Sequence, residues 1–206
     1  FVRPGDEGTS AGGIAAASQL GGGQAGLRLA YGFGDSGSVR AYSRATMALS
    51  QPRQRDLAFG FAFAPVGQVP VDVAVEQRLA VGSQGRTALA VMVTGGVGDV
   101  ALPGRFQFEA YGQAGFVGAR QRDEFADAAV VVDREIVHMP RASLHLGALA
   151  AGSMQPGVGR VDVGPRLTLR LPDVGGGSRI ALDWRQRVAG DARPGSGAAL
   201  TLATDF

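Results

Sequence analysis

The alternation in this chain predicts an all-β fold: an antiparallel, up-and-down transmembrane β-barrel of about twelve strands, within a range of about 10–14. Three observations predict it. Apolar residues alternate with polar or small ones in segment after segment, which is the period-two signature of a strand with one apolar face. The 33 Gly and 10 Pro fall between those segments as turn signals. The chain ends in a strand with Ala198, Leu200, Leu202, Thr204 and Phe206 on one face and Ala199, Thr201, Ala203 and Asp205 on the other. No helical stripe runs for more than a turn or two.

Twelve segments carry the pattern, within one domain over 1–206. Residues 10–20 are the weakest and read as a first strand, a plug or a linker. Strands follow at 24–33 and 36–50. In 55–65, Leu57, Phe59, Phe61 and Phe63 oppose only Ala and Gly. In 69–82, Val71, Val73, Val75 and Leu79 oppose Asp72, Glu76 and Arg78, and a strand at 85–96 comes next. In 105–120, Phe106, Phe108 and Phe116 oppose Gln107, Glu109 and Gln113; strands at 125–137 and 142–152 follow. The clearest pattern is 158–171, where Val161, Val163, Leu167, Leu169 and Leu171 oppose Arg160, Asp162, Arg166, Thr168 and Arg170. Segment 177–189 repeats it, with Ile180, Leu182, Trp184 and Val188 against Arg179, Asp183, Arg185 and Arg187. The last strand is 197–206, where Leu200, Leu202 and Phe206 have the form of an outer-membrane assembly signal. With residue 206 on the periplasmic side, outer loops are expected at 21–23, 51–54, 83–84, 121–124, 153–157 and 190–196, the charged run Arg120–Glu124 being solvated. Periplasmic turns are expected at 34–35, 66–68, 97–104, 138–141 and 172–176. Tyr31, Phe33, Phe59, Phe63, Phe106, Phe116, Trp184 and Phe206 are candidates for aromatic girdles at the membrane interfaces.

Composition excludes several function classes. No run of about 18 apolar residues provides a membrane helix, while a mean hydropathy of +0.08 suits a barrel in which only alternate residues meet lipid. Cysteine is absent, so disulfides, thiol catalysis and cysteine metal sites are excluded. The net charge of +2 is too small to suggest nucleic acid as a partner. All 20 basic residues are Arg, and Asn is missing along with Lys, a bias that a GC-rich bacterial genome accounts for. The chain begins at Phe1 without a charged segment leading into an apolar one, which reads as a processed protein or a piece of a longer one.

The candidate functional feature is a set of inward-facing arginines. Strand parity turns Arg28, Arg40, Arg44, Arg78, Arg160, Arg166, Arg170, Arg179, Arg185 and Arg187 inward, together with Arg86 and Arg105. Their inward acidic partners are fewer: Asp72, Glu76, Glu109, Asp162 and Asp183. Fixed positive charge in a narrow low-dielectric tube attracts anions, and guanidinium grips carboxylate or phosphate through paired hydrogen bonds. The same residues can instead fill a small barrel as satisfied ladders. Catalysis is not expected. His145 faces inward beside Ser143 and His138 sits at a turn, with no recognisable serine motif around them. The glycine runs 21–23 and 175–177 are turns rather than phosphate loops. No cofactor and no metal cluster is expected.

Segments 21–33, 76–93, 110–129, 157–172 and 183–206 resemble uncharacterised bacterial outer-membrane β-barrel domains. The texture is similar to the C-terminal barrel of the phage N4 adsorption protein A family, and in plan to barrels that export exopolysaccharides. The resemblance covers most of the chain and rests on turn and strand texture. It implies residence in the outer membrane of a Gram-negative bacterium, with lipid, lipopolysaccharide and the outer-membrane assembly machinery as partners. Two departures stand out: no helical-repeat domain is present, and the outer loops are short for a phage-docking surface. Two functions follow as expectations, and behind them stands a third, an outer-membrane lipid hydrolase whose activity would be lost in His145→Ala. One is a conduit for anionic solute or acidic exopolysaccharide through an Arg-lined lumen. The other is a sealed structural or docking barrel that anchors a partner or envelope assembly. A sealed interior calls for Arg–carboxylate pairing at matching heights, and a conduit for unpaired Arg along a continuous wall.

Overall fold

The computed structural model describes residues 24–33, 38–48, 55–66, 69–81, 87–118, 123–193 and 195–204. They form β1 (Gln24–Phe33), β2 (Val39–Ala48), β3 (Arg55–Phe63), β4 (Val71–Ala80), β5 (Ala88–Leu102), β6 (Phe106–Val117), β7 (Asp123–Met139), β8 (Ala142–Gln155), β9 (Val158–Leu171), β10 (Ser178–Gly190) and β11 (Gly197–Thr204). The strands lie in sequence order in one up-and-down antiparallel sheet. Among the described residues that sheet runs from β1 to β11 without pairing the two, and no helix is long and apolar enough to cross a membrane. The expected strand at 10–20 and the turns at 21–23, 34–35, 51–54 and 83–84 lie outside the described residues, as do Arg86 and Phe206.

Several boundaries differ from expectation. The turn expected over 97–104 is mostly strand, because β5 continues to Leu102 and only Pro103–Arg105 turns. Glycines at 95, 96 and 98 mimic a loop in the sequence, yet glycine in a strand only weakens it and pairing with neighbours overrides that. Arg105, expected to point inward, sits exposed in this turn with φ 64°. Asp123 and Glu124 open β7 rather than belonging to a loop. The expected connection 153–157 shrinks to Pro156–Gly157, where Gly157 takes φ 76°, and 138–141 shrinks to Pro140–Arg141.

The chain falls into two compact units, one of Gly21–Gly95 with Gln113–Ala126 and one of Gly96–Gly112 with Asp127–Phe206. In the first unit the register aligns Phe33, Val39, Phe63, Val73 and Val93 across five strands, all exposed. The row Tyr31, Ala41, Phe61, Val75, Val91 lies two residues away on the same face. The opposite face is covered and holds Tyr42, Ala62, Ala74, Ala90 and Met92, with Val117 and Phe125 packed on them. In the second unit Leu146, Leu167, Leu182 and Leu200 form an exposed row, beside Leu144, Leu169, Ile180 and Leu202. Its covered face carries Glu109, Asp133, His145, Arg160, Asp162, Arg166, Thr168 and Asp183. In each unit, taken by itself, the apolar face is exposed and the polar face covered.

Close strand approach explains one glycine in particular. Gly60 stands between Tyr42 and Glu76 in the register, and a Cβ there would lie 2.5 Å from the Val75 carbonyl oxygen and 2.8 Å from the Glu76 Cβ. The missing side chain leaves the lane through which the Tyr42 hydroxyl reaches Glu76. Gly152 differs, since a Cβ there would make only ordinary contacts at 3.6–3.7 Å. Gly60→Val is expected to lower stability by about 1–3 kcal/mol through overpacking, while Gly152→Ala stays within about 0.5 kcal/mol of the parent. Urea unfolding of the refolded protein, followed by tryptophan fluorescence, checks both.

Candidate functional site

The covered face of the first unit is organised around Glu76, whose side chain is 1% exposed. Its carboxylate accepts from the Tyr42 hydroxyl at 2.9 Å, from Arg44 Nη2 at 2.7 Å and from Arg78 Nε at 2.6 Å. Arg40 pairs with Asp72 in the same way, from β2 to β4. These side chains meet over β3, one strand removed, because at their heights β3 offers Ala58, Gly60 and Ala62 on that face. With strands about 4.8 Å apart, β2 and β4 lie about 10 Å apart, a gap that two long side chains close only over small residues. Arg28 stacks its guanidinium 4.4 Å from the Tyr42 ring centre, and Arg78 lies 5.2 Å from that of Phe125.

In the second unit two centres form. Asp183 receives Arg166 from the directly opposed position on β9 at 3.4 Å and Arg185 from its own strand at 3.3 Å. Arg166 and Asp183 are almost wholly buried, and Arg166 Nε also donates to the Thr168 hydroxyl at 3.3 Å. Glu109 on β6 accepts from Arg170 on β9 at 2.7 Å and from Arg179 on β10 at 3.0 Å. β6 and β9 are three strands apart, about 14 Å along a flat sheet. A bond of this length requires the covered face of this unit to be concave. Arg170 also pairs with Asp99 and stands 3.6 Å from Asp133. Nearer the other end, Arg160 Nε and Nη2 both bind Asp162 Oδ2, at 2.7 and 2.6 Å.

Each of the five expected acidic residues thus has an arginine partner drawn from the expected set. Arg28 is answered by an aromatic ring instead, and Arg187 lies half-covered on β10 with its backbone N–H donating to Ser196 at 3.0 Å. Leu200 and Leu202 are exposed on β11. Sequence reasoning missed Asp99 and Asp133. Asp99 lies where a turn was expected, and its left-handed backbone, φ 51°, is a conformation Asp tolerates. Asp133 was legible, since Ala129, Val131 and Asp133 alternate onto the covered face of β7. Among the described residues no group of three or more His, Asp or Glu is arranged to hold a metal ion.

The two pairings in the first unit differ in burial, which sets the expected costs. Glu76→Gln removes the counter-charge of two guanidiniums from a buried position, at an expected cost of about 3 kcal/mol, the lower end for a broken buried pair because both arginines keep some solvent contact. Asp72→Asn disturbs a pair with both members about a quarter to a third exposed, and its cost stays below about 1 kcal/mol. Denaturant midpoints of the two variants, compared with the parent, measure the difference.

No protein-family model, no curated protein and no solved structure matches this chain.

Proposed function

We propose that this chain is a β-barrel of a Gram-negative outer membrane, closed by its edge strands and sealed inside by paired charges, that anchors a partner or an envelope assembly. The observation that carries the reading is the inverted sheet: Leu, Val and Phe rows exposed on one face, and Arg–carboxylate pairs covered on the other. Each Leu or Phe side chain taken out of water is worth about 1.5–3 kcal/mol, so a chain folded for water gains nothing from this arrangement. Lipid reverses the preference, and a closed barrel leaves no backbone group unpaired in the bilayer. Lipid and lipopolysaccharide are then the outer-face partners. The assembly machinery reads Leu200, Leu202 and Phe206. Kinship with the barrel of phage N4 adsorption protein A and with exopolysaccharide-export barrels belongs to this same proposal.

The pairing supports a sealed interior over an anion conduit. Arg40, Arg44, Arg78, Arg160, Arg166, Arg170, Arg179 and Arg185 each have a carboxylate within ion-pair distance, so little of their charge is left to attract a passing anion. In a planar bilayer under a KCl gradient, protein proved folded by heat-modifiable gel mobility is expected to give no stable conductance. Anion-selective openings that weaken in Arg166→Ala would restore the conduit.

The membrane reading has its own test in Leu182, exposed at the centre of the leucine row. Leu182→Arg is expected to destabilise the protein in lipid vesicles by about 2–4 kcal/mol, the cost of arginine near a bilayer midplane. Unchanged stability in vesicles, together with solubility in detergent-free buffer, would favour a water-exposed sheet.

A further inference from the structure

We propose that Ser143, His145 and Asp133 form a nucleophilic site that hydrolyses carboxylic esters. The site lies in the second unit, at the end of the β7–β8 hairpin beside the Pro140–Arg141 turn. Ser143 and His145 are two residues apart on β8 and so share its covered face. The Ser143 Oγ stands 3.0 Å from His145 Nε2, and His145 Nδ1 stands 3.0 Å from Asp133 Oδ1. A carboxylate only accepts hydrogen bonds, so the proton between Asp133 and His145 belongs to Nδ1. In the neutral imidazole Nε2 is then the acceptor, and the Ser143 hydroxyl donates to it. This is the tautomer a general base needs, held by an orienting carboxylate.

Burial sorts the three into roles. His145 and Asp133 have side chains 3% exposed, whereas Ser143 is only partly covered. The competing carboxylate near Nε2 is Glu135, whose Oε2 is 4.0 Å away, beyond hydrogen-bond reach, and which bonds His138 at 3.4 Å instead. Gly147 makes room for the pair, because a Cβ there would strike the Asp133 Cβ at 2.5 Å. Arg170 lies directly opposite Ser143 across the β8–β9 pairing, and its buried Nε–H has no hydrogen-bond partner. Its terminal nitrogens are held by Asp99 and Glu109, which fixes the guanidinium in place.

The reaction balances with water alone. Ser143 Oγ bonds to the ester carbonyl carbon as its proton passes to His145 Nε2, and the carbonyl oxygen becomes an oxyanion. The bond to the alcohol oxygen then breaks, and His145 returns the proton to that oxygen. Water attacks the acyl-serine by the same route and releases the carboxylic acid. Asp133 touches no substrate and is a positioning residue.

The test uses the folded full chain with p-nitrophenyl butyrate and a fluorophosphonate probe, the labelled residue being located by peptide mass spectrometry. The expected result is labelling at Ser143 and ester hydrolysis, both abolished in Ser143→Ala, a partly covered position where the loss of one hydroxyl leaves the fold intact by heat-modifiable mobility. Asp133→Asn is expected to lower kcat at least about a hundredfold with KM unchanged, since it removes the tautomer and not the binding surface. A folded chain that neither labels nor hydrolyses overturns the proposal. So does hydrolysis that persists in Ser143→Ala.

Discussion

Charge placed away from solvent has to be answered by charge, and this requirement organises the covered face of the sheet. An isolated ionised side chain in a low-dielectric setting costs several kcal/mol even after relaxation. Glu76, Glu109 and Asp183 each sit at 1–3% exposure and each collects two arginines. Such pairs add little net stability over an apolar core of equal volume. Their effect is selective: a register slip by one residue would turn every carboxylate to the apolar face and every leucine inward. The paired charges therefore fix the register as strictly as the leucine rows do from the other side.

Small residues make the pairing geometrically possible. The covered face of β3 is reduced to Ala58, Gly60 and Ala62, so that Arg40, Tyr42 and Arg44 on β2 can reach Asp72 and Glu76 on β4. In the second unit the same place is taken by Ala181, fully covered, between Thr168 and Thr201.

Much of this was legible in the sequence, and the limits have physical causes. Strict alternation in 158–171 and 177–189 gave both the strands and the covered residues, because period two is a local property. The five acidic residues and the arginines that meet them were assigned to the right face for the same reason. Height along the strand is not local. It depends on how each hairpin closes, so parity turns His145 to the covered face without giving its 3.0 Å approach to Asp133. The Gly-rich stretch 95–98 misled in the opposite direction, since glycine marks both turns and weak strand interiors, and only pairing with neighbouring strands decides between them.

The polar face uses its carboxylates in two different ways. Glu76, Glu109 and Asp183 are each hydrogen-bonded by guanidinium, Asp183 through Oδ2 alone. Asp133 is not: its nearest guanidinium nitrogen, on Arg170, stands at 3.6 Å, while one of its oxygens is given to His145 at 3.0 Å. A sheet built only to satisfy its buried charges would gain more from closing the Asp133–Arg170 distance, as it does at Glu109 with the same arginine at 2.7 Å. One carboxylate oxygen of Asp133 goes instead to an imidazole that in turn contacts a partly covered hydroxyl. That departure separates the Ser143 end of the hairpin from the ion pairs around it, and it is a difference of chemistry rather than of packing.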